Sequence, residues 1–424
     1  MTSPQAEKTP RLRDNIMALG VVQLSNYIIP LVTLPYLTRV LGPEAYGKVA
    51  FAQVLMAYFI LLTDYGFSWS ATRKISAHRG ERAYISRVFV GTWTAQWLLV
   101  FGAAALATVI VWASARLRPD AWMYAAAFTV VLGNALFPIW FLQGLERLKV
   151  VAGLQLFTRL LALIPIFMFV KEPADAVYVP AIQGGGVMLG GFLALGWIKQ
   201  KKLLDWHWGG WRAAMQELAE GLPLFGSRIS ISLYTILIPL TLGWIAGPVA
   251  LAHYNLADKI RTAAQSLLGP LSQALYPRMT HLFMTDNSAA FHLLKRSLLA
   301  VLVIAGSASA LLWIFAEPLA VLLGGEAFRP ASAALRWLAL LPLLIGLSNV
   351  FGVQVMLPNS MNRPFNIILT AAGGFSILLI WPLIQQMQAV GAAQTMLIVE
   401  LFVTGSMALL LYKRGYLSFQ RDES

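Results

Sequence analysis

The sequence contains no cysteine among its 424 residues. Disulfide bonds, thiol nucleophiles and cysteine-ligated metal sites are therefore excluded. Charge is also scarce, because Asp, Glu, Lys and Arg together make up only 12% of the residues, about half the share found in typical soluble domains. A soluble protein needs that charge to cover its surface. The composition therefore excludes a soluble globular fold, and the high apolar content excludes a disordered chain.

Apolar residues are in excess, at 58% of the sequence. About 20 apolar residues cross a bilayer, so the chain has room for about twelve spans with short loops. The polar N-terminus leads into an apolar run too long for a signal peptide, so we expect the first span to stay in the mature protein. The segments between the predicted spans contain Gly, Pro and charged residues, which are typical of turns and loops. The predicted spans are 15–38, 46–66, 88–112, 121–142, 150–170, 177–198, 222–246, 250–276, 296–316, 334–356, 365–385 and 390–412.

The fold predicted from these spans is an all-α integral membrane protein with about 12 transmembrane helices, arranged as two six-helix lobes around a central cavity. The segment between the halves carries Trp206, Trp208 and Trp211 beside lysines, which is typical of a helix at the membrane surface. The predicted parts are an N-terminal lobe at 1–198, a cytoplasmic or interfacial linker at 199–221 and a C-terminal lobe at 222–424.

Basic residues are distributed unevenly over the predicted loops. Of the 32 Lys and Arg residues, 20 lie in or at the ends of the loops on the side that holds both termini, 7 lie in or at the ends of the loops on the other side, and 5 lie within or next to a span. The positive-inside rule then predicts that both termini are cytoplasmic. The same rule accounts for the excess over the 19 Asp and Glu residues, so no nucleic-acid partner is expected.

The predicted eighth span carries polar residues on one face. At 100° per residue, the side chains of Asn255, Asp258, Arg261 and Gln265 fall within about 120° of one another, and the remaining faces are apolar. A charge in the middle of a membrane costs about 2.5–3.5 kcal/mol on insertion scales, so such residues usually face a cavity or a partner. We therefore expect this polar stripe to line a cavity.

A repeated Gly-Pro dipeptide indicates a parallel duplication. It follows the first span of each half, at 42–43 and at 247–248, an offset of 205 residues. With this offset, the polar positions of spans 1 and 2 fall on those of spans 7 and 8, which predicts that the four spans line one cavity. The polar residues predicted to line it are Gln23, Asn26, Gln53, Asp64, Asn255, Asp258 and Gln265.

Basic residues inside the spans predict the chemistry of the ligand. Spans 7 and 8 contain Arg228, Lys259 and Arg261 against one nearby acid, Asp258, which can pair with Arg261 three residues away. Guanidinium groups match phosphate oxygens bidentately, so these three residues, with Arg159 of span 5, are predicted to bind a phosphate group. In the alternative interpretation, Arg228 and Arg159 extend to the membrane interface and Lys259 lies off the polar face.

Glu400 lies near the middle of span 12. It is a candidate for ion coupling by protonation, and the alternative is a neutral carboxylic acid that is hydrogen-bonded between helices. The sequence contains neither an H-E-x-x-H motif nor a Walker loop, and its outer loops are short. We therefore expect a protein that is not an enzyme and that needs no metal or other cofactor.

Several stretches resemble a known family. They are NYIIPLVTLPYLTRVLGPEAYG at 26–47, DYGF at 64–67 continuing to Thr72 and Arg73, FPIWFLQGLE at 137–146 with the basic residues after it, and LPNSMNRP at 357–364. These segments are similar to the Wzx-type polysaccharide flippases of the multidrug/oligosaccharidyl-lipid/polysaccharide exporter superfamily, most specifically within the first 150 residues.

The resemblance implies a V-shaped transporter of two lobes that alternates access about a central cavity in the bacterial inner membrane. Its substrate would be an undecaprenyl-diphosphate-linked oligosaccharide, carried from the cytoplasmic to the outer leaflet for O-antigen or exopolysaccharide assembly. The implied partners are this lipid-linked substrate, the bilayer, and the glycan polymerase with its chain-length machinery. Members of the family often place basic residues in the cavity, and the resemblance therefore implies that the predicted phosphate ligand is the pyrophosphate of this substrate, bound by Arg228, Arg261, Lys259 and Arg159.

Two other functions remain open at this point. A cation-coupled multidrug exporter of the same superfamily would favour acidic residues in the cavity, whereas the charges here are mainly basic. A membrane-embedded glycan polymerase or ligase would need a large outer loop with catalytic polar residues.

Arg39 and Glu44 flank the first Gly-Pro turn. We expect them to pair and to hold that hairpin rather than to contact substrate.

Overall fold

The computed structural model describes residues 12–205 and 210–416. Side chains are described from residue 32 onward within these ranges, apart from those of residues 210, 227, 228, 230, 231, 267, 270, 271, 273 and 274. The described chain forms helices and turns without a β-strand. This confirms the predicted all-α fold.

Sixteen α-helices follow one another along the described ranges. They are α1 (Leu12–Asp64), α2 (Phe67–Ala77), α3 (Arg82–Ala113), α4 (Ala121–Leu136), α5 (Ile139–Gly144), α6 (Leu148–Phe169), α7 (Tyr178–Gln200), α8 (Gly210–Thr235), α9 (Leu237–Ile245), α10 (Gly247–Gln265), α11 (Gly269–Thr285), α12 (Asn287–Ile314), α13 (Ala316–Gly324), α14 (Ala331–Leu338), α15 (Leu341–Asn349) and α16 (Asn362–Lys413). A π-helix occupies Val350–Met356 directly after α15.

The two longest helices are each interrupted once. In α1 the break lies at Gly42, whose φ of 67° and ψ of 176° are not helical. Glycine adopts a positive φ without steric cost, and the following Pro43 disfavours a helical conformation at the preceding residue. The predicted turn between spans 1 and 2 is confirmed at this position. In α16 the break lies at Gln388, inside the predicted join between spans 11 and 12.

Eight segments of the described chain are long and apolar enough to cross a membrane. Two of them, of 46 and 52 residues, contain the breaks at Gly42 and Gln388. Each is longer than one membrane crossing needs, because about 20 helical residues already cross a bilayer core of about 30 Å. The segments are Val32–Ala77, Arg82–Ala113, Arg118–Gly144, Leu148–Phe169, Pro173–Gln200, Asn287–Ile314, Ala331–Met356 and Asn362–Lys413. The chain is a multi-pass membrane protein, and the count of twelve spans stays a prediction.

The chain divides into two compact units. Unit 1 comprises Met1–Ile29, Leu55–Lys171 and Asp175–Gly226, and unit 2 comprises Pro30–Val54, Glu172–Ala174 and Ser227–Ser424. The segment from Pro30 to Val54, around the first Gly-Pro turn, thus belongs with the second half of the chain. The boundary at Gly226 falls inside α8. The two predicted lobes and their linker stay a prediction.

Unit 1 has a core in which small residues allow close packing of α4 against α7. A Cβ on Gly191 would lie 2.7 Å from the Cβ of Leu136, and one on Gly133 would lie 2.8 Å from the backbone nitrogen of Met188. Membrane helices approach closely at such small residues. In unit 2 the core is aliphatic and rich in methionine; it includes Val301, Val355, Met356, Val399 and Met407.

Candidate functional site

The polar stripe of α10 is the central feature of unit 2. The Nε of Arg261 donates to Oδ1 of Asp258 at 2.8 Å, and its Nη2 lies 2.7 Å from the same oxygen. Nη2 also donates to the hydroxyl of Thr262 at 2.8 Å, and Nη1 donates to the amide oxygen of Gln265. The predicted pairing of Asp258 with Arg261 is therefore present.

This arrangement satisfies a buried charge within one helix. Arg261 is only 6% exposed, and a buried guanidinium is costly unless it is paired and hydrogen-bonded. Its acceptors all lie within four residues along α10. A phosphate that binds Arg261 bidentately would have to compete with Asp258 for these donors. The geometry thus indicates that Arg261 orients the polar side chains of Asp258, Thr262 and Gln265 along α10.

Lys259 lies in a second polar chain, formed with the segment that follows the first Gly-Pro turn. Its Nζ donates to Oη of Tyr46 at 3.0 Å, and Tyr46 donates to Oδ1 of Asn255 at 2.8 Å. The ammonium also lies 5.4 Å from the centroid of the Tyr46 ring, within the range of a cation–π interaction. Lys259 is half-buried, and an ammonium has three donors, so it can bind an anion while it keeps Tyr46.

The two Gly-Pro turns pack against each other in unit 2. A Cβ on Gly47 would lie 1.9 Å from the backbone oxygen of Pro248, so only glycine fits at this position. Gly247, like Gly42, has a positive φ and precedes proline. The shared backbone conformation agrees with the sequence repeat. The close packing brings Tyr46 beside Asn255 and Lys259.

Glu400 lies in the second half of α16 and is 7% exposed. The hydroxyl of Ser348, near the end of α15, donates to its Oε1 at 2.7 Å. The charge of Arg261 acts on this carboxyl group, so Glu400 belongs to the same cluster as the α10 stripe. The π-helix Val350–Met356 begins two residues after Ser348, and π-helical turns frequently occur at functional sites.

Arg39 contacts the end of a neighbouring helix. Its Nη2 donates to the backbone oxygen of Leu322 at 2.7 Å, and the hydroxyl of Thr38 donates to that of Leu323 at 2.9 Å. Both carbonyls lie in the last turn of α13, where the backbone oxygens accept no hydrogen bond from N–H groups of the same helix. Arg39 therefore helps to cap α13. The expected structural role agrees with this contact, and the expected pairing with Glu44 stays a prediction.

We expect Arg39→Ala to destabilise the protein without impairing transport per molecule. The loss of a cation at a helix C-terminus costs about 0.3–1 kcal/mol at an exposed site. The thermal midpoint of the purified protein should fall by a few degrees, as measured by size-exclusion chromatography after heating. Arg87→Ala is the control, because it removes an exposed arginine of α3 that is not at a helix C-terminus. An unchanged midpoint with abolished transport would contradict the structural role.

Other predicted residues lie elsewhere or outside the described side chains. Arg159 is half-buried in α6 of unit 1, and Asp64 ends α1, where its Oδ1 accepts a hydrogen bond from Ser68 at 2.5 Å. Gln53 is half-buried in unit 2.

Some predicted residues, or their side chains, lie outside the described part of the chain. The side chains of Gln23, Asn26 and Arg228 are not among those described, and Trp206 and Trp208 fall in the gap before α8.

One polar cluster of unit 1 escaped the sequence analysis. The Nζ of Lys74 lies 2.8 Å from Oε1 of Glu217 and 2.7 Å from Oε2 of Glu220. Lys74 belongs to α2 and both glutamates belong to α8. All three residues lie in predicted loop or linker segments, where charged residues are ordinary, so the sequence gives no sign of this cluster. Within the described residues, no group of three or more His, Asp or Glu side chains could hold a metal ion.

Comparisons with known proteins cover almost the whole chain. The family described as "Polysaccharide biosynthesis protein" matches residues 12–283. An Escherichia coli (strain K12) protein named "Putative O-antigen transporter" is 35% identical over 417 residues, which cover 94% of this chain and 96% of the relative. A Shigella dysenteriae protein of the same name is 27% identical over 405 residues, covering 92% and 98%.

Solved structures share the fold at low sequence identity. The chain is similar to the lipid II flippase MurJ in an inward closed conformation, with a TM-score of 0.74 and 11% identity over 96% of this chain and 89% of that one. An inward-facing multidrug resistance MATE family transporter of the MOP superfamily gives a TM-score of 0.68 and 14% identity, covering 95% and 99%. The family match and the identity to the Escherichia coli relative establish that the chain belongs to the polysaccharide biosynthesis protein family.

Proposed function

We propose that the protein is a flippase that carries undecaprenyl-diphosphate-linked oligosaccharide from the cytoplasmic to the outer leaflet of the bacterial inner membrane, for O-antigen or exopolysaccharide assembly. The observation that carries the proposal is the 35% identity to a relative named as an O-antigen transporter, over nearly the full length of both chains. The protein acts as a transporter and not as an enzyme. The polymerase and chain-length machinery of the glycan pathway are its proposed partners.

The proposed pyrophosphate site uses the basic residues of unit 2 inside the membrane, namely Arg228, Lys259 and Arg261, while the role of Arg159 in unit 1 stays a prediction. Lys259 is the residue whose geometry suits direct contact, because its ammonium keeps donors beyond the one given to Tyr46. Arg261 supports the site by fixing Asp258 and Gln265. The positive charge favours an anionic headgroup, since an oppositely charged ligand repays the cost of holding cations in a membrane.

The proposed coupling group is Glu400. A buried carboxylic acid can take up or release a proton while it keeps the hydrogen bond from Ser348. Its neighbours are Arg261 of α10, whose charge acts on it, and Tyr234 of α8, on which the charge of Glu400 acts. A change of charge at Glu400 would therefore be felt by the α10 stripe.

The proposed topology places both termini and the 199–221 segment in the cytoplasm, following the excess of basic residues on that side. We expect tags attached to either end to be inaccessible in intact cells and accessible after permeabilisation. The control is a tag in the predicted outer loop at 113–120, which should be accessible in intact cells. A C-terminal tag that reacts in intact cells would contradict an even number of spans.

The competing function is a multidrug exporter, which the MATE fold also allows. The two functions differ in the ligand that accumulates when the protein is absent. Cells depleted of the protein should accumulate lipid-linked oligosaccharide on the inner leaflet and should regain the outer-leaflet form when it is restored. Normal glycan export together with sensitivity to cationic drugs would support the exporter and contradict the flippase.

A further inference from the structure

The cluster around Glu217 lies where α8 packs on α2 and α3 within unit 1. Glu217 is 6% exposed although it belongs to a segment outside the apolar spans. Its Oε1 accepts a hydrogen bond from Lys74 at 2.8 Å. A Cβ on Gly91 of α3 would lie 3.4 Å from both the Cβ of Ala213 and the Cγ of Glu217. Gly91 of α3 therefore lies directly against the part of α8 that carries the carboxylate.

Negative charge exceeds positive charge in this cluster. Lys74 is shared between the carboxylates of Glu217 and Glu220, so two negative charges face one ammonium. The Thr92 hydroxyl hydrogen-bonds to Glu217, and among the described residues the buried Oε1 of Gln96 has no hydrogen-bond partner. Thr92 is fully buried and Gln96 is 4% exposed, one turn apart on α3. A carboxylate charge held among such buried groups is costly unless it is fully paired.

A single proton would correct the charge imbalance. Protonation of Oε2 removes the second negative charge, and the Thr92 hydroxyl keeps its contact with Glu217, because a hydroxyl can donate to the carboxylate and accept from the carboxylic acid. The remaining Lys74–Glu220 pair is then neutral. We propose that Glu217 is a proton-binding site, and that its protonation holds the N-terminal part of α8 against α2 and α3. We call this arrangement the docked state of α8.

The direction of the pH effect follows from the surroundings of Glu217. Burial raises the pKa of its carboxyl group, the charge of Glu220 adds to this, and Lys74 and Thr92 oppose it. Once α8 leaves this site, Glu217 regains its ordinary pKa. A group whose pKa is raised in the docked state favours docking below its ordinary pKa and loses that effect as the pH rises through the raised pKa. Docking should therefore weaken on the alkaline side.

The other charged groups that face the site do not reverse this direction. The hydrogen bond from Lys74 lowers the pKa of Glu220, helped by the charge of Arg73. Glu220 therefore favours docking above its ordinary pKa and loses that effect only as the pH falls through the lowered value. Between these two limits, Glu217 sets the pH dependence of docking.

The site has a consequence for transport, which rests on the proposed function. A proton at Glu217 controls how firmly the start of α8 is held in unit 1. The same helix continues beyond Gly226 into unit 2, so a change at its start can affect the half of the chain that carries the proposed headgroup site. Translocation should then depend on the pH at the face of the membrane that carries residues 199–221.

Spin labels provide a test that requires no substrate. The chain has no cysteine, so Ala83→Cys and Met215→Cys introduce one label on α3 and one on α8, both at exposed positions. In the full-length protein in vesicles, electron–electron distances between pH 5 and pH 9 should give one narrow population at low pH that broadens as the pH rises. A distance distribution that is identical throughout this range would overturn the proposal.

Substitutions at the cluster move the transition in opposite directions. Glu217→Gln should keep the narrow population at every pH. Lys74→Met removes the cation that opposes protonation and should shift the midpoint upward by about one pH unit or more, while Glu220→Gln should shift it downward. Glu146→Gln is the matched control, because it removes an exposed carboxylate paired with Arg79, and it should leave the midpoint unchanged.

The opposite shifts keep the test decisive even if Glu217→Gln fails to fold. Equal midpoints in the Lys74→Met, Glu220→Gln and parent proteins would overturn the proton site. A vesicle preparation that shows these shifts but flips no lipid would leave the proton site supported and contradict the proposed function. Normal flipping with docking that does not depend on pH would overturn the proton site alone.

Discussion

Replacing Gly47 by alanine should nearly abolish folded protein in the membrane. The added Cβ would lie 1.9 Å from the backbone oxygen and 2.4 Å from the carbonyl carbon of Pro248. No rotamer change relieves this contact, because the group that it meets is backbone, so the two Gly-Pro turns would have to separate. Yield of monodisperse protein on size-exclusion chromatography measures the effect, and we expect at least a tenfold loss.

Gly102→Ala is the control for this prediction. Gly102 lies inside α3, and a Cβ there would meet nothing within 4 Å. Alanine also has the higher helix propensity. The yield of this variant should equal or exceed that of the parent. If Gly47→Ala and Gly102→Ala gave similar yields, the close packing of the two turns would be contradicted, and with it the placement of Tyr46 beside Lys259.

Removing a cation from the proposed headgroup site should strongly slow translocation while leaving the protein folded. A charge-assisted hydrogen bond contributes about 1.5–3 kcal/mol, which corresponds to a loss of about ten- to a hundredfold in rate. We expect this loss for Lys259→Met and for Arg228→Ala. Arg228→Lys should retain part of the rate, since lysine supplies the charge without the bidentate geometry.

Two further variants complete this series. Lys413→Met removes an exposed cation at the end of α16 and should flip lipid at the parent rate. Glu400→Gln keeps the shape and hydrogen bonding of the side chain but cannot titrate, so it should reduce the pH dependence of flipping and leave headgroup binding intact. A parent rate in both Lys259→Met and Arg228→Ala would show that these residues only anchor the helices.

The sequence was informative wherever a single helix determines the geometry. The stripe on α10 and the pairing of Asp258 with Arg261 follow from a period of 3.6 residues, and the break at Gly42 follows from the restriction before proline. Beyond Gln265 the helix tightens into a 3-10 turn at Ser266–Leu268. Such a turn advances about 120° per residue instead of 100°, so the stripe cannot be extended from the sequence beyond Gln265.

Contacts between distant segments could not be predicted in the same way. The hydrogen bonds of Tyr46 with Asn255 and Lys259 and the ion pair of Lys74 with Glu217 join residues more than 140 positions apart. Hydrophobic periodicity gives the buried face of a helix but not the helix that covers it. The repeat offset of 205 residues did align the two Gly-Pro turns, but it gave no sign that they pack directly on each other.

The central claim is that this chain alone moves a lipid-linked oligosaccharide across a bilayer. The most direct measurement uses the purified protein in vesicles that carry undecaprenyl-diphosphate-linked oligosaccharide in both leaflets, with a glycan-cleaving enzyme added outside. Protein-containing vesicles should lose nearly all of the lipid-linked glycan, whereas empty vesicles and vesicles with Lys259→Met should lose about the outer half during the same time. Cleavage that stops at the outer half in vesicles containing the parent protein would contradict the account.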